Sequence, residues 1–321
     1  MAGDRRLTDD ERRALTDDER LAIERDVFNR FGACPGGANG IREWLGLSVS
    51  RRHKPLAVYD LTTAEFDQPH TPAVRSLVLC GTYRSGSSLV AEALQAAGGY
   101  GIPLEYFQEG ASERRYRRWL VGSSSYRDQV IAARTDPTGV FGVKLFWPDL
   151  ANLTGMASMA PETATVAIAG VLPRPLFVWI RRRDTVAQAV STLRALHSDR
   201  WRSLAAEGST PAPASRSSGP ADAAGYDFDR LYRLVGMLLR HDSLWASCFS
   251  TSQAPRVAVW YEDIAVDPAR TLSELTERLA DRGMPPRANA PYPIRLHKQA
   301  PASADQQALR FLRELRDNHN G

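Results

Sequence analysis

The sequence predicts an α/β fold in which a central parallel sheet lies between layers of helices. Short apolar segments at 76–80, 139–147, 176–180 and 256–262 have the length and the β-branched and aromatic content of buried strands. Segments with helical spacing of apolar residues alternate with them. Such strands are joined by right-handed crossovers into a parallel sheet, and ligands bind beyond the carboxyl ends of its strands.

Composition narrows the classes of protein to consider. The chain has 321 residues, 43% of them hydrophobic and 24% charged, as in an ordinary globular protein. A net charge of +4 suits an anionic ligand but is too small to indicate nucleic-acid binding. The three cysteines are widely spaced, without a CxxC pair, which predicts no disulfide framework and no metal site. No signal peptide or membrane-spanning run is apparent, so we expect a cytoplasmic protein.

Residues 1–75 are predicted to form an N-terminal helical extension, and residues 76–321 the catalytic domain. The string LTDDER occurs at 7–12 and again at 15–20, and each copy has the spacing of a capping box. The second copy predicts a helix over 17–31, which ends before a glycine.

The segment 76–97 reads as a strand, a Gly/Ser loop and a helix that ends at Gly98. We call residues 81–88 the 81–88 loop. A helix that begins directly after such a loop presents backbone N–H groups and the positive end of its dipole to an anion. The loop is therefore predicted to bind phosphate, and the alternative is a turn between a core strand and a core helix.

The spacing of the loop follows the Walker A motif with one change. Gly81 and Gly86 are five residues apart and are followed by two serines, so Ser87 occupies the place of the motif's lysine. That lysine normally reaches the β- and γ-phosphates of a nucleoside triphosphate. The cation here is Arg84, inside the loop, which suggests a nucleotide with a different terminal group. The predicted fold is three-layered and P-loop-like, with the parallel sheet flanked by helices.

Two ionisable residues in apolar segments are candidates for chemistry. Glu105 lies in GIPLEYF, where partial burial would suit a general base, although a surface or capping glutamate is the alternative. Lys144 lies within the apolar strand 139–147, where a charge is costly unless it is paired or binds an anion. A strongly basic helix is predicted around 114–120.

The third strand, 176–180, ends in three arginines and is followed by an amphipathic helix. Arg182 and Ser191 are nine residues apart, so the strand end and the helix are placed to hold one phosphate. A strand that held Mg²⁺ for a nucleoside triphosphate would end in aspartate. Two anion sites without such a carboxylate fit a nucleotide that carries phosphate at two positions. The alternative for the three arginines is a basic helix start that is exposed to solvent.

The rest of the chain continues the alternation. Residues 203–225 are rich in Ala, Ser, Pro and Gly and predict a flexible insertion. Helices are predicted over 226–248, 268–282 and 308–316, with a proline-rich connection at 285–293.

Five segments together resemble the bacterial trehalose 2-sulfotransferase family. They are TYRSGSSL (82–89), IPLEYFQ (102–108), FGVKLFW (141–147), RRRDTVAQAVSTLRA (181–195) and RW (200–201), and they occur in the family's order. Members of this family use 3′-phosphoadenosine-5′-phosphosulfate (PAPS) and release adenosine 3′,5′-bisphosphate (PAP). Two positions depart from the family's pattern: Arg183 replaces a proline, and Tyr106 replaces the first phenylalanine.

The resemblance implies a role for each candidate residue. Arg84, Ser85, Gly86, Ser87 and Ser88 would bind the 5′-phosphosulfate. Lys144 matches the lysine of the family's Gly-Lys-Leu-x-Trp segment and is a further candidate for binding the donor. Arg182 and Ser191 would bind the 3′-phosphate, and Glu105 falls on the proposed catalytic base. Arg84 would stabilise charge on the leaving phosphate.

The implied reaction moves a sulfuryl group directly to a hydroxyl of a sugar, glycoside or secondary metabolite, without a metal. The family also implies a homodimer. A P-loop kinase or NTPase is the first rival and would bind ATP–Mg²⁺, although its lysine is missing at Ser87. A binding module for anionic polymers is the second rival, and the clustering of the arginines after strands argues against it.

Overall fold

The computed structural model describes residues 14–33, 36–48, 64–108, 125–198, 201, 226–287 and 302–319. In this part of the chain the strands are β1 Arg75–Gly81, β2 Val140–Phe146, β3 Pro175–Arg181 and β4 Arg256–Trp260. The helices are α1 Asp17–Phe31, α2 Gly37–Trp44, α3 Ser87–Ala97, α4 Tyr126–Arg134, α5 Leu150–Thr154, α6 Pro161–Ala169, α7 Thr185–Ser198, α8 Phe228–Ser250, α9 Tyr261–Val266, α10 Pro268–Ala280 and α11 Ala302–His319, with short 3₁₀ turns at Ala64–Phe66 and Trp147–Asp149.

The four strands form one parallel sheet in the order β2-β1-β3-β4. The strand that carries the 81–88 loop is therefore central, with β2 on one side and β3 on the other. Gly81, its last residue, pairs with Phe146 of β2 and Ile180 of β3, so the three carboxyl ends lie level. This register places the 81–88 loop at the sheet edge where an α/β fold binds its ligands.

Apolar side chains cover both faces of the sheet. On one face, Leu77 and Leu79 of β1 belong to a buried cluster with residues of α3 and α10. On the other face, Val78 and Cys80 belong to a cluster with residues of α5, α6 and α8. Successive side chains of β1 thus pack against opposite helical layers, because side chains along a strand alternate between the two faces of the sheet. The predicted α/β class, with helices on both faces of a parallel sheet, is confirmed.

The chain divides into two compact units. One contains Pro35–Arg181 and His241–Ile294, which include the whole sheet. The other contains Met1–Cys34, Arg182–Arg240 and Arg295–Gly321, which include α1, α7 and α11. The predicted boundary between residues 1–75 and 76–321 stays a prediction.

Within the second of these units, α1 has the predicted bounds and the predicted cap. Thr16 Oγ1 accepts from the N–H of Glu19 at 3.2 Å, and Glu19 Oε2 accepts from the N–H of Thr16 at 2.7 Å. Arg316 of α11 donates to Glu19 Oε1 at 2.8 Å. A Cβ on Gly236 of α8 would lie 2.5 Å from Val27, so the glycine allows α1 to pack closely there.

Several boundaries differ from those expected from the sequence. The fourth strand ends at Trp260, and Tyr261 begins helix α9 instead of continuing the strand. The last helix covers Ala302–His319 and is longer than the predicted 308–316. Its first and last turns contain few apolar residues, so the spacing of apolar residues does not mark the ends of the helix. Helices α2, α4 and α6 were not predicted. The predicted basic helix at 114–120 and the insertion at 203–225 lie outside the described residues.

Among the described helices, none has the length and apolar content needed to cross a membrane.

Candidate active site

The 81–88 loop joins β1 to α3 with the geometry of an anion site. Gly86 is the N-cap of α3 and has a left-handed backbone, with φ of 90°. The N–H groups of Leu89 and Val90 donate to the Gly86 carbonyl at 3.0 and 3.2 Å. Ser87 and Ser88 are thus the first two helical residues, whose N–H groups have no acceptor within the helix. These amides and the helix dipole favour a negatively charged group at this end of α3.

Arg84 has an unusual backbone for a residue with a side chain. Its φ is 60°, in the left-handed region that favours glycine. Holding such a conformation costs about 1–2 kcal/mol, and residues of this kind concentrate at ligand sites. The side chain is half-buried. A tight loop that keeps an arginine in this strained position is consistent with a role for its guanidinium in binding an anion.

Ser85 supplies a buried hydroxyl that has no partner in the part of the chain that the structure describes. The residue is fully buried, and its Oγ makes no hydrogen bond to any described residue, although its N–H donates to the Thr82 carbonyl at 3.2 Å. Leaving a buried polar atom unpaired costs about 1–3 kcal/mol. A ligand oxygen that bonded to Ser85 would remove this cost, so the loop fits a phosphate or phosphosulfate group.

Glycines in and beside the loop allow close contacts that a side chain would prevent. A Cβ on Gly81 would lie 2.4 Å from the Ile180 carbonyl oxygen and 3.1 Å from Ser85 Oγ. A Cβ on Gly86 would lie 2.7 Å from the ring of Tyr261, at the start of α9. The loop is therefore packed between β3 and α9. Space requires both glycines, and the left-handed backbone requires glycine at Gly86 as well.

Lys144 of β2 connects this loop with Glu105. Its Nζ donates to Ser88 Oγ at 3.0 Å and forms an ion pair with Glu105 Oε1 at 2.6 Å. The lysine side chain is 8% exposed and the glutamate side chain 26% exposed. Glu105 is thus partly buried, as expected, and the charge of Lys144 has the partner that its buried position requires. Three of the predicted site residues, from three separate segments, lie together.

The segment that carries Glu105 is fixed against the outer edge of β2. Leu104 forms a parallel bridge with Val143, and its carbonyl accepts from the N–H of Lys144 at 2.9 Å. Three residues before Leu104, Gly101 approaches β2 so closely that a Cβ on it would lie 2.2 Å from the nitrogen of Gly142. The close glycine contact lets an irregular segment run beside the strand and hold Glu105 near Lys144.

Asp136 stabilises the start of the same segment, a role that the sequence analysis did not identify. This buried carboxylate accepts from the N–H of Gly101 at 3.0 Å, from the N–H of Thr138 at 2.8 Å and from the N–H of Val140 at 3.2 Å. A short hydrogen bond from the Thr138 hydroxyl completes its partners. Asp followed by Pro and Gly suggests a turn, but the contact with Gly101 could not be read from the sequence.

Tyr106, the residue that departs from the family's pattern, is fully buried. Its hydroxyl donates to the Ile102 carbonyl at 2.7 Å, and Tyr126 of α4 donates to the Tyr106 carbonyl at 2.8 Å. The extra hydroxyl is thus satisfied within the 101–108 segment and does not require a polar ligand.

Arg181, the last residue of β3, has different surroundings from the two arginines that follow it. Arg181 forms a two-pronged ion pair with Asp242, with N–O distances of 3.3 and 2.7 Å. Its guanidinium carbon also lies 4.1 Å from the ring centre of Trp179 and 4.5 Å from that of Trp260. This residue is therefore engaged within the sheet-containing unit, and the arginine expected to bind a ligand is its neighbour.

Arg182, the predicted ligand of a second phosphate, is half-buried and directly follows β3, and Ser191 is a half-buried residue of α7. Asp184 caps α7 by accepting from the N–H of Ala187 at 2.8 Å. Arg20 of α1 donates to the Arg183 carbonyl at 3.3 Å and to Thr185 Oγ1 at 3.1 Å. The N-terminal helix thus contacts the start of α7, a relationship that the sequence did not indicate. The assignment of Arg182 and Ser191 to a phosphate stays a prediction.

Comparison with known proteins identifies the family. A model of the Stf0 sulphotransferase family matches residues 76–314. Trehalose 2-sulfotransferase of Mycobacterium tuberculosis is 28% identical over 273 residues, which cover 75% of this chain and 96% of that protein. Trehalose 2-sulfotransferase of Mycolicibacterium smegmatis is 25% identical over 268 residues, which cover 74% of this chain and 94% of that protein. The family match includes the 81–88 loop, Glu105 and Lys144, and the chain belongs to the Stf0 sulfotransferase family.

Proposed function

We propose that this chain transfers a sulfuryl group from PAPS to a hydroxyl of a sugar or glycoside, with Glu105 as the general base. The observation that carries the proposal is the continuous contact from Ser88 through Lys144 to Glu105. It joins a helix start that favours a bound anion to a partly exposed carboxylate, and such a transfer needs both groups.

The donor side of the proposal is supported by the chemistry of the 81–88 loop. The buried hydroxyl of Ser85 lacks a partner among the described residues, and the amides at the start of α3 face an anion favourably. PAPS, when bound, supplies an activated sulfuryl group on its 5′-phosphate. Arg84 and the loop N–H groups would hold that phosphate and stabilise the charge that grows on it as the bond to sulfur breaks. Arg182 and Ser191 would bind the 3′-phosphate.

The acceptor side depends on Glu105. Its carboxylate would accept the proton of the acceptor hydroxyl as the oxygen attacks sulfur, and such a base typically contributes a factor of about 10²–10⁴. A sugar or glycoside acceptor is favoured because the two relatives carry the name trehalose 2-sulfotransferase. A homodimer and a cytoplasmic location remain part of this proposal.

The first experiment is calorimetric binding of PAP in EDTA, compared with binding of ATP–Mg²⁺. Tight binding of PAP without metal is the expected result, because the loop has Ser87 where the lysine of a nucleoside triphosphate site would stand. Preference for ATP–Mg²⁺ would overturn the proposal in favour of a kinase. Transfer from labelled PAPS to trehalose and to a panel of glycosides, read by mass spectrometry, would then identify the acceptor.

A further inference from the structure

Lys144 has a position that donor binding alone does not explain. It belongs to β2, an edge strand of the described sheet whose residues are all buried, and it pairs in register with Leu79 of β1. An ammonium group in such surroundings requires compensation. It finds that compensation in one carboxylate and one hydroxyl, Glu105 Oε1 at 2.6 Å and Ser88 Oγ at 3.0 Å.

The contacts of Lys144 with Ser88 and with Glu105 have different consequences for the site. Ser88 is in the first turn of α3, beside the proposed donor site. Glu105 Oε1 is held by the lysine, whereas Glu105 Oε2 makes no hydrogen bond to any described residue. The glutamate side chain is 26% exposed, and Oε2 is not among the buried polar atoms that lack a partner in the described residues. One oxygen of the carboxylate is thus fixed and the other remains available to accept a proton.

We propose that Lys144 is a positioning residue for Glu105: it fixes Oε1, directs Oε2 toward the acceptor hydroxyl, and sets the separation between the base and the donor site through Ser88. This inference rests on the proposed function and refines the expectation that Lys144 simply binds the donor.

The chemical step balances without a co-reactant. The acceptor oxygen forms a bond to sulfur, its proton moves to Glu105 Oε2, and the bond between sulfur and the bridging phosphate oxygen breaks. The electron pair of that bond leaves with PAP. Lys144 takes no part in this proton transfer, so it acts through the glutamate and through the geometry of the site.

A double-mutant cycle tests this assignment. The variants are Lys144→Met, Glu105→Gln and the double substitution, and turnover is measured with PAPS as donor and trehalose as the acceptor probe. We expect Glu105→Gln to lower kcat about a hundredfold or more and Lys144→Met about tenfold or more. Because the lysine acts through the glutamate, the double variant should match Glu105→Gln within about threefold. Lys144→Arg, which keeps the charge, should recover part of the kcat lost in Lys144→Met.

Arg270→Gln serves as the matched control for loss of a cation. Arg270 is 62% exposed on α10 and pairs only with other surface residues among its described contacts, Asp267 and Glu274. Its loss should leave kcat and KM unchanged. If the loss of kcat in the double variant equalled the product of the losses in the two single variants, the proposal would be overturned. That result would show that the lysine acts independently of the base.

Two further measurements do not depend on the acceptor. Lys144→Met should change the Kd for PAP less than about threefold, and a loss of about tenfold or more would show that Lys144 is a donor ligand instead. In thermal unfolding, the double variant should melt higher than Lys144→Met, because it no longer contains a partly buried carboxylate without its cation. A lower melting temperature for the double variant would contradict the pairing. Failure of the unsubstituted protein to bind PAP would overturn the proposed function itself, a result distinct from these.

Discussion

The indole Nε1–H of Trp245 donates a hydrogen bond to the carbonyl oxygen of Gly81 at 3.1 Å. Trp245 is fully buried in α8, and its ring stacks on Phe249 and meets Trp147 edge-on, with ring centres 5.8 and 5.1 Å apart. Gly81 is the last residue of β1 and the first of the 81–88 loop. The bond therefore fixes the point at which the chain leaves the sheet and enters the proposed donor site.

Trp245→Phe should weaken donor binding by disturbing the start of this loop. The substitution keeps an aromatic ring but leaves the Gly81 carbonyl without its buried donor, which costs about 1–3 kcal/mol of stability. We expect the Kd for PAP to rise severalfold, measured by calorimetry, together with a lower midpoint in urea. Trp147→Phe is the control, because its indole N–H makes no hydrogen bond to the described residues. Equal effects of both substitutions on PAP binding would show that packing, and not this hydrogen bond, matters.

Gly86→Ala should disrupt the loop more than loss of a glycine alone explains. The backbone has φ of 90°, and the new Cβ would meet the Tyr261 ring at 2.7 Å, so both strain and collision oppose the change. Gly155→Ala is a matched control, because Gly155 has φ of 76° with nothing within 4 Å of the added carbon. We expect a loss of about 1 kcal/mol for Gly155→Ala and a clearly larger loss for Gly86→Ala, with PAP binding reduced only in the latter. Matching losses of stability and unchanged PAP binding would argue against a close contact with Tyr261.

Arg182→Ala should discriminate between nucleotides with and without a 3′-phosphate. If Arg182 binds that phosphate, the Kd for PAP should rise by about tenfold or more, the scale of a lost charge-assisted hydrogen bond. The Kd for adenosine 5′-phosphosulfate, which lacks the 3′-phosphate, should change little. Arg183→Ala is the neighbouring control, because Arg183 is exposed. Parallel weakening of both nucleotides by Arg182→Ala would instead indicate a structural role.

Cys80 and Cys248 should resist thiol reagents in the folded protein. Burial, followed by the charge of Cys248, raises the pKa of the Cys80 thiol well above its usual value, and burial raises the pKa of Cys248 to about 11. A raised pKa lowers the fraction of reactive thiolate at pH 8, by about 100-fold for a shift of two units. The measurement is the rate of reaction with a chromogenic disulfide in a Cys34→Ser variant, which removes the third thiol. Modification as fast as in the guanidinium-unfolded protein would contradict the burial of these thiols.

Local patterns were sufficient for much of the fold. A run of apolar residues between polar or glycine residues marks a buried strand, and all four predicted strands occur, because a strand's own residues supply most of the signal. The same holds for α1, whose cap joins Thr16 and Glu19 only three residues apart. Helix α4 was missed because its buried positions are few, with Val130 and Arg134 the two that are buried. Tyr261 was assigned to a strand because an aromatic residue after valine and tryptophan favours that state, whereas the structure begins α9 there.

The candidate site was predicted in its parts but not in its arrangement. By itself, the sequence determined the strand–loop–helix around Gly86, the unusual position of Arg84 in a Walker-like loop, and the presence of Glu105 and Lys144 in apolar segments. Only the tertiary structure decided that Lys144 contacts both Ser88, 56 residues away, and Glu105, and that Trp245 reaches Gly81 across 164 residues. The physical reason is that such contacts depend on strand order and register, here β2 beside β1 with Lys144 opposite Leu79. Order and register result from packing across the whole sheet, and the periodicity of one segment does not contain them.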